Sequence, residues 1–197
     1  DPAYGSDWIK KFYIESPSDY PIIKYIVENT VFRENYHSFL RIREDLGEDG
    51  VVMARVDRSP LQKMLIELAG PERLFIDLFD NRHLVEDLLF SIEKRLDEAY
   101  RIVANSPAEV IWQPDNISGD VTEPHLFEKY CLPFYNKQGR LFHRHNKAYV
   151  VHMDGKLKCL KDLIKKADID VIESFTFPEG GGDLSFGEAR IAWKDKS

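Results

Sequence analysis

Val150-Val151-His152-Met153-Asp154-Gly155 is an apolar run that ends in an imidazole, a carboxylate and a glycine. Alternate residues of a strand share a face, so His152 and Asp154 are expected to point the same way. A helical pattern follows at once, with Leu157, Leu160, Leu163, Ile164 and Ala167 on one side. The pair is thereby placed at the carboxyl end of a strand in a βα unit. Open and closed parallel sheets both gather their ligand chemistry at that edge.

The alternation repeats on both sides of this stretch. Upstream, Val51 to Val56 reads as a short strand, and Ser59-Pro60-Leu61-Gln62 opens a helix with a capping box and a first-position proline. Gly70-Pro71 ends that helix. A longer one is expected from about His83 to Asn105, with Leu84, Val85, Leu88, Leu89, Ile92, Leu96, Ala99 and Val103 at helical spacing. Glu109 to Trp112 is the next strand, turning at Gln113-Pro114-Asp115. Thr122 then caps a helix carrying Leu126, Phe127, Tyr130, Leu132 and Phe134. Downstream, Val171 to Phe177 is the fourth strand. Pro178 to Asp183 is a loop, and Ser185 with Glu188 forms a capping box for a last helix.

Residues 1–50 read as an N-terminal helical segment, and residues 51–197 as the α/β portion of the same domain. In the first part, Ser16-Pro17-Ser18-Asp19 starts a helix with Ile22, Ile23, Ile26 and Val27 behind it. A second helix from about Arg33 carries Tyr36, Phe39, Leu40 and Ile42 and stops at Gly47. Four strand-helix units imply right-handed crossovers and a parallel sheet. A closed (β/α)8 barrel needs eight strands. The expected fold is therefore α/β, a partial parallel (β/α) barrel of TIM type with about four βα units. That no fifth strand follows favours a contiguous piece of a barrel over a small open sheet.

Composition narrows the function classes. The 197 residues are 43% hydrophobic and 31% charged, the balance of a globular protein. No apolar run approaches the ~20 residues of a membrane span, and no charged-then-apolar leader precedes Asp1, so any processed segment is expected to be gone already. A net charge of -7 argues against nucleic acid as a partner. Cys131 and Cys159 have no metal-ligand spacing and read as small buried hydrophobes in a reducing cytoplasm.

The four strand ends carry Arg55 and Asp57, then Gln113, Asp115 and Asn116, then His152 and Asp154, then Glu173 and Thr176. A parallel sheet brings these to one edge. Aspartate after a strand commonly caps the next helix, which is the structural reading of Asp57 and Asp115. Glu173 lies within an apolar strand, where a carboxylate needs a partner. A carboxylate beside His152 would fix its tautomer and suit acid-base work or metal binding. As a zinc site the locus is incomplete, since a catalytic zinc takes three protein ligands and His152 and Asp154 supply two. His143 and His145 sit at a helix end and read as structural. Gly180-Gly181-Gly182 reads as a flexible lid ahead of a phosphate cradle, because the P-loop ending is missing.

The run Asp115 to Asp120, then Glu123-Pro124-His125-Leu126-Phe127 through Pro133-Phe134-Tyr135, then His152-Met153-Asp154-Gly155 resembles the uroporphyrinogen decarboxylase superfamily, which also holds the corrinoid-dependent methyltransferases. The similarity spans the chain from about Ser16 onward. It implies a TIM-type barrel of which this chain is the middle portion, with the site at the carboxyl ends of the strands. It implies catalytic roles for Asp115, His152, Asp154 and Glu173, and substrate contacts for Arg55, Asn116 and Thr176. The methyltransferase branch binds zinc through His-x-Cys and a later cysteine; here Asp154 stands at the first of those positions and no cysteine follows Cys159. The leading expectation from the resemblance is a methyltransferase-type protein acting on a methyl-corrinoid or small methylated substrate, with zinc at His152 and Asp154 and a corrinoid protein as methyl donor. The alternative it implies is a cofactor-free decarboxylase of porphyrin biosynthesis. The rival expectation is a non-catalytic partial barrel that presents its open edges to a partner, such as a second copy.

Overall fold

A computed structural model describes residues 9–196. Its centre is a four-stranded parallel sheet in the order β1 (Met53–Arg55), β2 (Val110–Gln113), β3 (Ala148–His152) and β4 (Val171–Glu173). The register sets Arg55 beside Trp112, Trp112 beside Val150, and His152 beside Glu173. This is the strand-helix pattern of a partial (β/α) barrel, unclosed at β1 and β4. The fourth strand is shorter than its apolar pattern suggests. Ser174 adopts φ 60°, outside the extended region, and stops the ladder at Glu173.

The two faces of the sheet differ. Ile111, Gln113, Tyr149 and Val151 are fully buried against the helices. Each large apolar side chain removed from water there contributes roughly 1.5–3 kcal/mol. Chief among the covering helices is α5 (Arg82–Ala104), which buries Val85, Leu88, Leu89, Ile92, Leu96 and Tyr100 at helical spacing. The opposite face carries Met53, Arg55, Val110, Trp112, Ala148, Val150, His152, Val171 and Glu173. It is open at β1, where Met53 is 45% exposed.

Around the sheet lie α1 (Tyr20–Glu28), α2 (His37–Leu46), α3 (Pro60–Lys63), α4 (Gly70–Asp80), α6 (Pro124–Leu126), α7 (Leu132–Arg144), α8 (Lys161–Lys165) and α9 (Phe186–Ala192). The helices α1 and α2 lie at the periphery. Tyr20 and Ile23 dock α1, and Tyr20 donates to Asp77 at 2.9 Å. Ile22 and Ile26 of the expected apolar stripe face outward, and α2 buries no side chain. The expectations for residues 1–8 lie outside the described residues. No described helix is long and apolar enough to cross a membrane.

Four local expectations need correction. Gly70-Pro71 ends one helix but also starts α4, because Gly70 at φ 72° reverses the chain and Pro71 suits a first turn. No capping box forms at Ser59. Gln62 instead donates its amide to Thr122 Oγ1 at 2.8 Å, so Thr122 is not a cap either. Both helices that begin with a proline, α3 and α6, widen into π-helical turns, Met64–Leu68 and Phe127–Cys131. The box of Ser185 and Glu188 does form. Cys131 is buried as expected, whereas Cys159 is exposed.

Candidate functional site

Residues paired in a parallel ladder stand side by side on one face, and this places Glu173 next to His152. Glu173 Oε2 lies 2.5 Å from His152 Nδ1 and accepts from Trp112 Nε1–H at 2.9 Å. Its other oxygen accepts from the Ser174 hydroxyl at 2.6 Å. Burial works against ionising Glu173, but donation from Ser174, His152 and Trp112 outweighs it and holds the carboxyl below its ordinary range. An ionised acceptor requires the proton of His152 to sit on Nδ1. Nε2 then faces Asp154, whose Oδ2 is 3.5 Å away, beyond a good hydrogen bond.

Arg55 joins this group from β1. Its guanidinium lies over the Trp112 ring, 6.0 Å from the centroid, and the residue is exposed on the open face. Trp112 in turn meets the His152 ring edge-on at 6.1 Å. Arg55, Trp112, His152, Glu173 and Asp154 therefore form one cluster at the carboxyl end of the sheet. By its sequence pattern Trp112 is only the last residue of a short strand. The signal that places it here is the register of β2 against β1, which period-two alternation alone does not give.

The motif glycine has a packing reason. A side chain at Gly155 would run into the Ser118 Cβ, because the loops after β2 and β3 are laced together. Gly155 N–H donates to Ile117 O at 3.1 Å, Gly119 N–H to Lys156 O at 2.7 Å, and Lys156 N–H to Ser118 Oγ at 3.2 Å. The loop after β4 is tied to them as well. Asp183 Oδ1 accepts from the backbone N–H groups of Leu157 and Lys158 at 2.8 and 2.9 Å. Gly182 is packed against the Thr176 carbonyl, so the glycine triplet is an anchored turn and not a loose lid.

Asp115 is set apart from this cluster. It lies at the same strand ends but on the helix side of the sheet, fully buried. Oδ1 accepts from Ser59 N–H at 2.7 Å, while Oδ2 accepts from Gln113 Nε2 at 2.7 Å and Tyr135 O–H at 2.6 Å. Tyr100 and Tyr149 extend the network through Gln113. Burial raises its pKa, only partly offset by these donors. The structure thus separates Asp115 from His152. Asn116, after β2, accepts from Arg58, after β1, at 3.0 Å, and Thr176 donates to the Ser174 carbonyl of its own loop at 3.1 Å. Asp57 pairs with Lys63 at 2.9 Å. His143 is held between Asp168 and Asp170 at 3.3 and 2.9 Å, the structural part assigned to it.

Zinc does not fit the donors present. Among the described residues no group of three or more His, Cys, Asp or Glu side chains is placed to hold a metal ion. At the His152 locus one imidazole nitrogen is already given to Glu173, and no thiolate is within the cluster. A cavity of about 750 Å³ lies between the N-terminal segment and α4, and no strand residue lines it. The His152 cluster is instead an open surface of the sheet.

The family model for uroporphyrinogen decarboxylase (URO-D) matches residues 41–174. No curated protein sequence matches the chain. Among solved structures, a methyltransferase from Methanosarcina mazei is similar in fold, with a TM-score of 0.61 at 14% identity. The match covers 88% of this chain and 45% of that one, so this chain spans less than half the length of that methyltransferase.

Proposed function

The chain belongs to the uroporphyrinogen decarboxylase family, and from that premise we propose that it carries a proton-transfer site for an anionic small molecule bound on the open face of the sheet. The observation that supports this most is the Glu173–His152 pair at 2.5 Å beside the exposed guanidinium of Arg55. Glu173 fixes the imidazole and leaves Nε2 turned toward the open face, where it takes or delivers a proton at the reacting carbon. Arg55 holds a carboxylate of the substrate, as a planar guanidinium suits. Trp112 supplies an apolar wall. Asp154, exposed near Nε2, steadies positive charge on the imidazole or the substrate.

This combination suits loss of a carboxyl group as CO2 with a proton returned to the carbon. Methyl transfer, the other chemistry of the superfamily, is supported less, because Asp154 occupies the place of a thiolate and the donors fall short of a zinc site.

Binding tests the proposal without turnover. A polycarboxylated tetrapyrrole is expected to quench Trp112 fluorescence, and Arg55→Met to weaken that binding by about tenfold, the worth of one charge-assisted contact. Unchanged affinity in Arg55→Met would sink the anion site. One zinc per chain, lost in His152→Ala, would overturn the proton-transfer reading in favour of methyl transfer.

A further inference from the structure

Glu173 is held by more donors than it needs to face one histidine. Oε2 takes both His152 Nδ1 and the Trp112 indole N–H, and Oε1 takes the Ser174 hydroxyl. The indole N–H is a donor only. It cannot compete with Glu173 for the imidazole proton; it can only orient the carboxylate and favour its ionised form. Both added donors, Trp112 and Ser174, are neutral, so they fix Glu173 without cancelling the charge that faces His152.

We infer that Trp112 is a positioning residue, acting through Glu173 to hold His152 as the Nδ1–H tautomer with Nε2 bare toward the open face. The register supports this: Trp112 pairs with Val150, the residue two before His152 on the same face of β3, so the indole reaches along the sheet to the carboxylate of β4. The inference deepens the reading of His152 as the proton carrier and rests on it. Its test needs no substrate, so it can fail while anion binding at Arg55 stands, and the reverse.

The test is ¹⁵N NMR of the histidine-labelled chain at mildly alkaline pH, with His152 assigned by its loss in His152→Asn. The native chain is expected to show the Nδ1–H form. In Trp112→Phe, which keeps a ring in place, the ratio of Nδ1–H to Nε2–H is expected to fall about fivefold, the effect of one ordinary hydrogen bond. Glu173→Gln should remove the preference altogether. An unchanged ratio in Trp112→Phe, or an Nε2–H form in the native chain, overturns the inference. Should Trp112→Phe fail to fold, the indole N–H resonance of the native chain decides: it is expected to shift upfield in Glu173→Ala, and an unmoved resonance overturns the inference equally.

Discussion

Glu173 and Asp115 are two carboxylates at one sheet edge whose surroundings act on them in opposite directions. For Glu173, burial is outweighed by donors, and the folded-state pKa is lowered. Its contribution to stability is complete above the unfolded value near 4.5 and is lost as pH falls through the lower folded value. For Asp115, burial dominates and the folded-state pKa is raised. The folded chain therefore binds that proton more readily, and stability declines as pH rises from the unfolded value near 3.8 through the folded one. Urea midpoints measured against pH are expected to separate the two. Glu173→Gln should flatten the acid limb below its window, and Asp115→Asn should remove the decline above it. Asp115→Asn should also lower stability by about 1–3 kcal/mol, because an amide cannot accept from all three donors; a variant as stable as the parent would contradict that count. At this scale His152, Asp154, Glu173 and Arg55 were legible as polar residues at strand ends. Asp115 was misplaced because alternation stops with the strand at Gln113, and Asn116 at φ 50° turns the chain away from it.

The elements show why periodicity was a good guide to the long helix and the strands and a poor one to the loops. The apolar spacing of α5 maps directly onto its buried side. The π turns after Pro60 and Pro124 each hold one extra residue per turn, which no apolar pattern announces. Capping signals were ambiguous for a related reason. Ser185 and Glu188 meet across one turn, whereas Gln62 finds Thr122 sixty positions away and leaves the Ser59 hydroxyl without a partner. The lacing of the loops after β2 and β3 yields a prediction. Gly155→Ala presses its methyl onto Ser118 and is expected to destabilise the chain by about 1–3 kcal/mol, as overpacking does. Ser118→Gly removes the opposing Cβ and Oγ but leaves the Ser118 Cα in the way, so the double variant should regain only part of that loss in thermal or urea unfolding. Simple addition of the two effects would show that the glycine is not there for this contact.

At the scale of the molecule, one face of the sheet is sealed by helices and the other is not. Among the described residues β1 and β4 each have an unpaired edge, and the open face presents Met53 at 45% exposure beside Val110, with Val171 on the opposite edge strand. Such edges and apolar surface promote association unless charged or covered. Arg55 and Glu173 place one charge on each edge strand, of opposite sign, so β1 of one copy and β4 of another are not mutually repelled. The 23.0 kDa chain is therefore expected to self-associate as its concentration rises, with a sedimentation mass above that of the monomer. Val171→Lys adds a charge on the open face of β4, beside Val150, without altering the His152–Glu173 pair. It should shift the equilibrium toward monomer while leaving the His152 tautomer intact. A native chain that sediments as a clean monomer at all concentrations would mean that this face tolerates water as it stands, and that the His152 cluster is complete on a single open sheet.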